Sequence, residues 1–121
     1  MEIQVSARLL YLKKKGWIKT FEEYYASQTK HILDNAVKKL TEHPKMKFVW
    51  AEISFLALWW AEQNADTRNQ FIALLENKQL EILTGGWVMN DEANTFYYAM
   101  VEQMMTGHEW CRKHLNNYKP K

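Results

Sequence analysis

Three times along the chain a short apolar run is followed by a longer stretch whose apolar positions recur about every 3.6 residues. The first run is Val5 to Leu12. After Gly16 and Trp17 comes Thr20-Phe21-Glu22-Glu23, a capping box in which the Thr hydroxyl and the Glu carboxylate satisfy the orphan N–H groups of a helix start. The helix it opens is expected to carry Phe21, Tyr24, Tyr25, Ile32, Ala36, Val37 and Leu40 on one side, with Pro44 just past its end.

The second run, Phe48 to Ile53, is rich in aromatic and branched residues and predicts a buried strand. Ser54 to Gln63 predicts a short, very apolar helix. Asp66 or Thr67 is the expected cap of the next one, which runs through Phe71, Ile72, Leu74 and Leu75 to Asn77. The third run, Leu80 to Thr84, stops at Gly85-Gly86. Asn90 or Asp91 then caps a helix to about Leu115 that carries Tyr97, Met100, Val101, Met104, Met105 and Trp110.

The order β-α-β-α-α-β-α predicts an α/β fold: about three parallel strand–helix units, a partial barrel-like domain. In parallel sheets the loops leaving the carboxyl ends of the strands gather the functional residues. Here those loops are Lys13 to Trp17, Glu52 to Phe55 and Gly85 to Glu92. No linker or low-complexity segment divides the 121 residues.

Composition narrows the function classes. With 47% hydrophobic and 25% charged residues the chain is neither disordered nor collagen-like. A formal charge of +2, scattered along the sequence, argues against an electrostatic nucleic-acid binder. The longest apolar run, Phe55 to Ala61, is far short of the roughly 20 residues of a membrane span. Cys111 has no second cysteine to pair with.

Several groupings invite chemistry. His108, Cys111 and His114 are three apart on the last helix, but the two histidines diverge by about 240° around its axis, so a polar face with a half-buried cysteine is expected and no metal site. Glu52, Asp91 and Glu92 could supply the carboxylate pair of a glycosidase; equally, Asp91 and Glu92 suit a helix N-terminus, and Glu52 at a strand end must be solvated or paired. Of the six tryptophans, Trp50, Trp59 and Trp60 are expected in the core. Trp17 and Trp87 directly follow strands beside glycines, where a ring can face a sugar.

Gly16-Trp17-Ile18-Lys19-Thr20-Phe21, then Lys47 to Phe55 with Trp59-Trp60, then Gln79 to Ala93 with its Gly85-Gly86-Trp87-Val88-Met89-Asn90-Asp91-Glu92 block, resemble glycoside hydrolase family 38, in particular the Golgi α-mannosidase II type of member. The resemblance covers 16–121 and leaves 1–15 as a non-family segment holding a candidate first strand. It implies the N-terminal α/β-barrel domain of a larger retaining, zinc-dependent α-mannosidase that trims mannose from N-glycans in the Golgi.

The resemblance also implies losses. Family members place two zinc ligands, a His and an Asp, where this chain has Leu12 and Lys14. Leucine has no donor atom and an ammonium group repels the ion. The nucleophilic Asp belongs to a segment expected beyond Lys121. No catalytic or metal-ligating residue is therefore expected in this chain, and no zinc is expected to bind it. Trp17 matches the family's mannose-stacking tryptophan and is the expected substrate contact. Phe96 replaces the His usual there.

Two origins suit this pattern, a truncated product and a short descendant that kept the scaffold; the intact packing signals favour the first. The expected role is a non-catalytic fragment of an α-mannosidase. The alternative is a binding or interaction module, self-associating through faces a full domain would cover. A mannose lectin built on Trp17 alone would bind weakly.

Overall fold

The computed structural model describes residues 18–90 and 94–121. The expected strand Val5 to Leu12, the positions Leu12 and Lys14, Trp17, Asp91 and Glu92 all lie outside the described residues.

Helix α1 starts where its capping box places it. Thr20 Oγ1 accepts the Glu23 N–H at 3.2 Å, and Glu23 Oε2 accepts the Thr20 N–H at 2.7 Å. The helix comprises Phe21–Tyr24, a π turn over Tyr25–Thr29, and Lys30–Glu42. In the π turn the Lys30 N–H reaches back five residues to the Tyr25 carbonyl. That extra residue shifts the phase of the apolar stripe. Tyr25, Thr29, Leu33, Val37 and Leu40 are buried, while the expected Ile32 and Ala36 sit at the margin of the core.

Strand β1 is Phe48–Trp50, shorter than the expected Phe48 to Ile53. The reason is at its end: the N–H groups of Ile53 and Ser54 donate to the carbonyls of Gly86 and Trp87, each at 3.0 Å, and helix α2, Ile53–Glu62, begins there. Helix α3 is Ala65–Glu76. Its cap is Asn64, whose side chain accepts the Thr67 N–H at 2.8 Å, and not Asp66 or Thr67; Asp66 falls inside the first turn, where its charge complements the helix dipole.

Strand β2 is Leu80–Ile82, again shorter than expected. Thr84 and Gly85 adopt φ of 58° and 65°, a left-handed backbone that cannot extend a strand. Helix α4 is Tyr97–His114, with Phe96 at its N-cap and no side-chain cap. Asn90 does not cap it, because its side-chain oxygen accepts from Gln103 Nε2 at 3.1 Å.

β1 and β2 pair in parallel with Phe48 opposite Leu80 and Trp50 opposite Ile82. Among the described residues the sheet has these two strands, so the parallel α/β character expected from the sequence is present, and the first expected strand lies outside the described residues. Phe48, Trp50, Leu80 and Ile82 join Leu33, Val37, Ile53, Leu56, Trp59, Phe71 and Leu74 in one core. Cys111 and Leu115 bring α4 into it.

After α4 the chain returns to the edge of β2 that faces away from β1. The Lys121 N–H donates to the Ile82 carbonyl at 3.0 Å and the Thr84 N–H donates to the Lys121 carbonyl at 2.7 Å. The Tyr118 hydroxyl accepts the Ile82 N–H at 3.1 Å, and the Lys121 ammonium meets Glu81 at 2.6 Å. No helix among the described residues is long and apolar enough to cross a membrane.

Candidate functional site

The loops at the carboxyl ends of β1 and β2 are zipped together. Gly86 and Trp87 accept from the first two amides of α2. The next three amides along the second loop are then held one by one. Trp87 N–H donates to the backbone carbonyl of Gln103 at 2.9 Å, Val88 N–H to the Gln103 side-chain oxygen at 3.3 Å, and Met89 N–H to Glu52 Oε1 at 3.2 Å. Glu52 is thus the paired strand-end charge that its position required. It is buried, and its backbone carbonyl accepts Trp50 Nε1–H at 2.6 Å.

Helix α4 forms the floor of this loop. Gly107 packs against the backbone of Gly85, Gly86 and Trp87, and a β-carbon on Gly107 would stand 2.7 Å from Gly86 C and Trp87 N. Neither Gln103 nor Gly107 figured in the sequence reading. Gly107 carried a weak signal, since a glycine inside a helical pattern costs helix stability and so points to a packing reason. Gln103 carried none, because its partners are set by the tertiary fold.

The histidines and cysteine of α4 do not converge. His108 Nε2 bonds the Thr84 carbonyl at 2.6 Å, while the His114 ring stacks on Trp110 at 4.8 Å. Between them Cys111 is buried, and that burial pushes its thiol up to about 12. Burial, followed by the charges of Lys113 and Arg68, holds His114 below its usual value. Among the described residues no group of three His, Cys, Asp or Glu is placed to hold a metal ion.

The tryptophans divide by position. Trp50, Trp59 and Trp60 are in the core. Trp59 Nε1–H donates to Asp34 at 2.7 Å, and Trp60 meets Trp110 edge-on at 6.1 Å. Trp87 is half-buried, its backbone pinned between α2 and α4.

At the opposite end of α2, Glu62 joins α1 to the core. Its Oε2 accepts the Tyr25 hydroxyl at 2.8 Å and the Lys30 ammonium at 2.7 Å. Those two donors keep Glu62 below the usual carboxylate range. Tyr25 is pushed above its usual value, first by burial and then by its bond to Glu62.

A parallel α/β unit with its ordered loops at the carboxyl ends of the strands belongs to the class whose ligands bind at that end. The profile of the glycosyl hydrolases family 38 N-terminal domain matches residues 15–121, and this chain belongs to that family. It is 53% identical over 100 residues to alpha-mannosidase 2x of Mus musculus, 44% identical over 100 residues to alpha-mannosidase 2 of Homo sapiens, and 46% identical over 101 residues to alpha-mannosidase 2 of Drosophila melanogaster. These alignments cover 83%, 83% and 84% of this chain and 9% of each relative. The chain therefore spans about a tenth of the length of the curated relatives it matches.

Proposed function

We propose that this chain is a structural piece of the barrel-like catalytic domain of an α-mannosidase, and that alone it does not hydrolyse mannosides. The observation that carries the reading is the Gly85–Asn90 loop, part of the family's block, held at the carboxyl ends of β1 and β2 by Glu52, Gln103 and Gly107. The parent activity is retaining, zinc-dependent cleavage of α-linked mannose from N-glycans in the Golgi, with Trp17 as a sugar contact. Leu12 and Lys14 at the zinc-ligand positions argue that this chain does not bind the ion. Purified protein with added zinc and a fluorogenic α-mannoside tests the reading. No turnover and no zinc uptake by titration calorimetry are expected; measurable turnover overturns it.

A second reading, an interaction module that self-associates, is favoured by one observation. Tyr97, Tyr98, Val101 and Met105 are exposed on α4, and clustered exposed apolar side chains mark contact surfaces. Sedimentation velocity tests this reading, and a monomer across the concentration range removes it.

A further inference from the structure

One edge of β2 pairs with β1, and the other is closed by segment 118–121. Lys121 donates its N–H to the Ile82 carbonyl and accepts the Thr84 N–H, the two bonds by which a residue in a parallel pair straddles its neighbour, here Leu83. The Ile82 N–H, which points the same way, is taken by the Tyr118 hydroxyl. Between these contacts sits Pro120. Its backbone groups face away from β2, as those of the residue beside a bonded one do, and it has no N–H to offer outward. Its ring lies over Gly85, where a β-carbon would stand 2.5 Å from Pro120 Cβ. The Lys121 ammonium closes on Glu81 at 2.6 Å. A lysine, a proline and a short length are the features that stop a sheet edge from templating another chain.

We infer that segment 118–121 is an edge guard: seated, it keeps β2 from pairing with a second copy of the chain, and lifted, it leaves Ile82 open to the Ile82 of that copy. The geometry of the edge selects a second copy as the occupant. Ile82 turns both its N–H and its C=O outward, toward Tyr118 and Lys121. Two like residues facing each other across a two-fold axis in an antiparallel pair exchange both of those bonds. Pairing Ile82 with itself sets Glu81 opposite Leu83 of the second copy, so the two glutamates are not directly opposed. A hinge for lifting is also present. After Leu115, the C-cap of α4, the chain passes through Asn116 and Asn117 with φ of 51° and 59°, a left-handed backbone that costs any residue with a side chain, asparagine least. Lifting the segment releases that conformation. This edge offers backbone groups, whereas the exposed side of α4 offers apolar side chains.

The test compares the full chain with the same chain carrying Tyr118→Phe and Lys121→Glu together. The first change removes the hydroxyl from Ile82, and the second turns the pair with Glu81 into a repulsion. Amide hydrogen exchange by NMR and sedimentation velocity are run on both, from micromolar to millimolar concentration. In the native chain the Ile82 and Thr84 amides are expected to be protected at every concentration. In the double variant both are expected to exchange about ten-fold faster when dilute. On concentration, the Ile82 amide of the variant is expected to regain protection in step with a rise in mass toward the dimer. Dispersed amide spectra confirm that the fold persists; should the double variant lose it, Lys121→Glu alone carries the test. Three results overturn the inference: an Ile82 amide as protected in the variant as in the native chain, one that opens with no gain in mass at any concentration, or a gain in mass while Ile82 still exchanges fast. The last assigns association to another surface, such as the exposed side of α4.

Discussion

Gly107 and Gly86 are in backbone contact: a β-carbon on Gly107 would lie 2.7 Å from the Gly86 carbonyl carbon, and closer still to the Gly85 oxygen. Helix α4 and the loop after β2 thus meet without a side chain between them.

Gly107→Ala is accordingly expected to destabilise the protein by about 2 kcal/mol, although alanine is the better helix former by about 1 kcal/mol. Backbone atoms on the loop cannot give way as a flexible side chain would. Urea unfolding measures it, with Thr106→Ala on the exposed side of the same helix expected to change stability by less than about 0.5 kcal/mol.

Gln103→Met keeps the volume of the side chain and removes its polar atoms. The Val88 N–H then loses its acceptor and Asn90 its donor, for an expected cost of about 1–2 kcal/mol. Hydrogen exchange discriminates the mechanism. The Val88 amide should exchange faster, while the Trp87 amide, bonded to the backbone of residue 103, stays protected.

The Glu62 hub makes stability depend on pH at both extremes. Because the folded state holds the Glu62 carboxyl below its unfolded value, its contribution is present above about pH 4.3 and is lost as pH falls through the folded pKa. Tyr25 is raised, so its contribution is present below about pH 10 and is lost as pH rises above that. Denaturation midpoints followed across pH check both arms. Glu62→Gln should flatten the acid arm, and Tyr25→Phe the alkaline one.

Stacking of His114 on Trp110 gives an optical report of the α4 end. A protonated imidazole quenches a neighbouring indole, so Trp110 emission should fall on acidification. With His114 held below its usual value by burial, the midpoint is expected under about pH 6.5. His114→Gln should abolish that transition while the other tryptophans keep their emission.

What the sequence made legible was local. Thr20 and Glu23 announce α1 because a capping box needs only neighbours three residues apart, and it formed as written. Asn64, Asp66 and Thr67 are all good cap residues close together in sequence, and only the backbone decides that Asn64 is the cap. Both strands were expected too long: apolar character continues through Ile53 and Leu83, but the amide of Ile53 is taken by Gly86, and the chain turns left-handed at Thr84. At the site, the charge of Glu52 signalled a partner without naming Met89. Gln103 gave no signal because it reaches 13 and 15 residues back to Asn90 and Val88. Trp17, the residue singled out for sugar contact, lies outside the described residues.

The π turn at Tyr25–Thr29 behaves as one inserted residue in an otherwise α-helical rod. Deleting a single residue there would let the helix close into regular α geometry and rotate everything before it by about 100°. Leu33, Val37 and Leu40 would keep their seats, whereas Phe21 would swing off its ring partner Phe55 and the Thr20 cap would point elsewhere. The insertion is thus an azimuth setting. It lets the core choose the orientation of the C-terminal half of α1 while the carboxyl end of the sheet independently chooses which way the first turn faces.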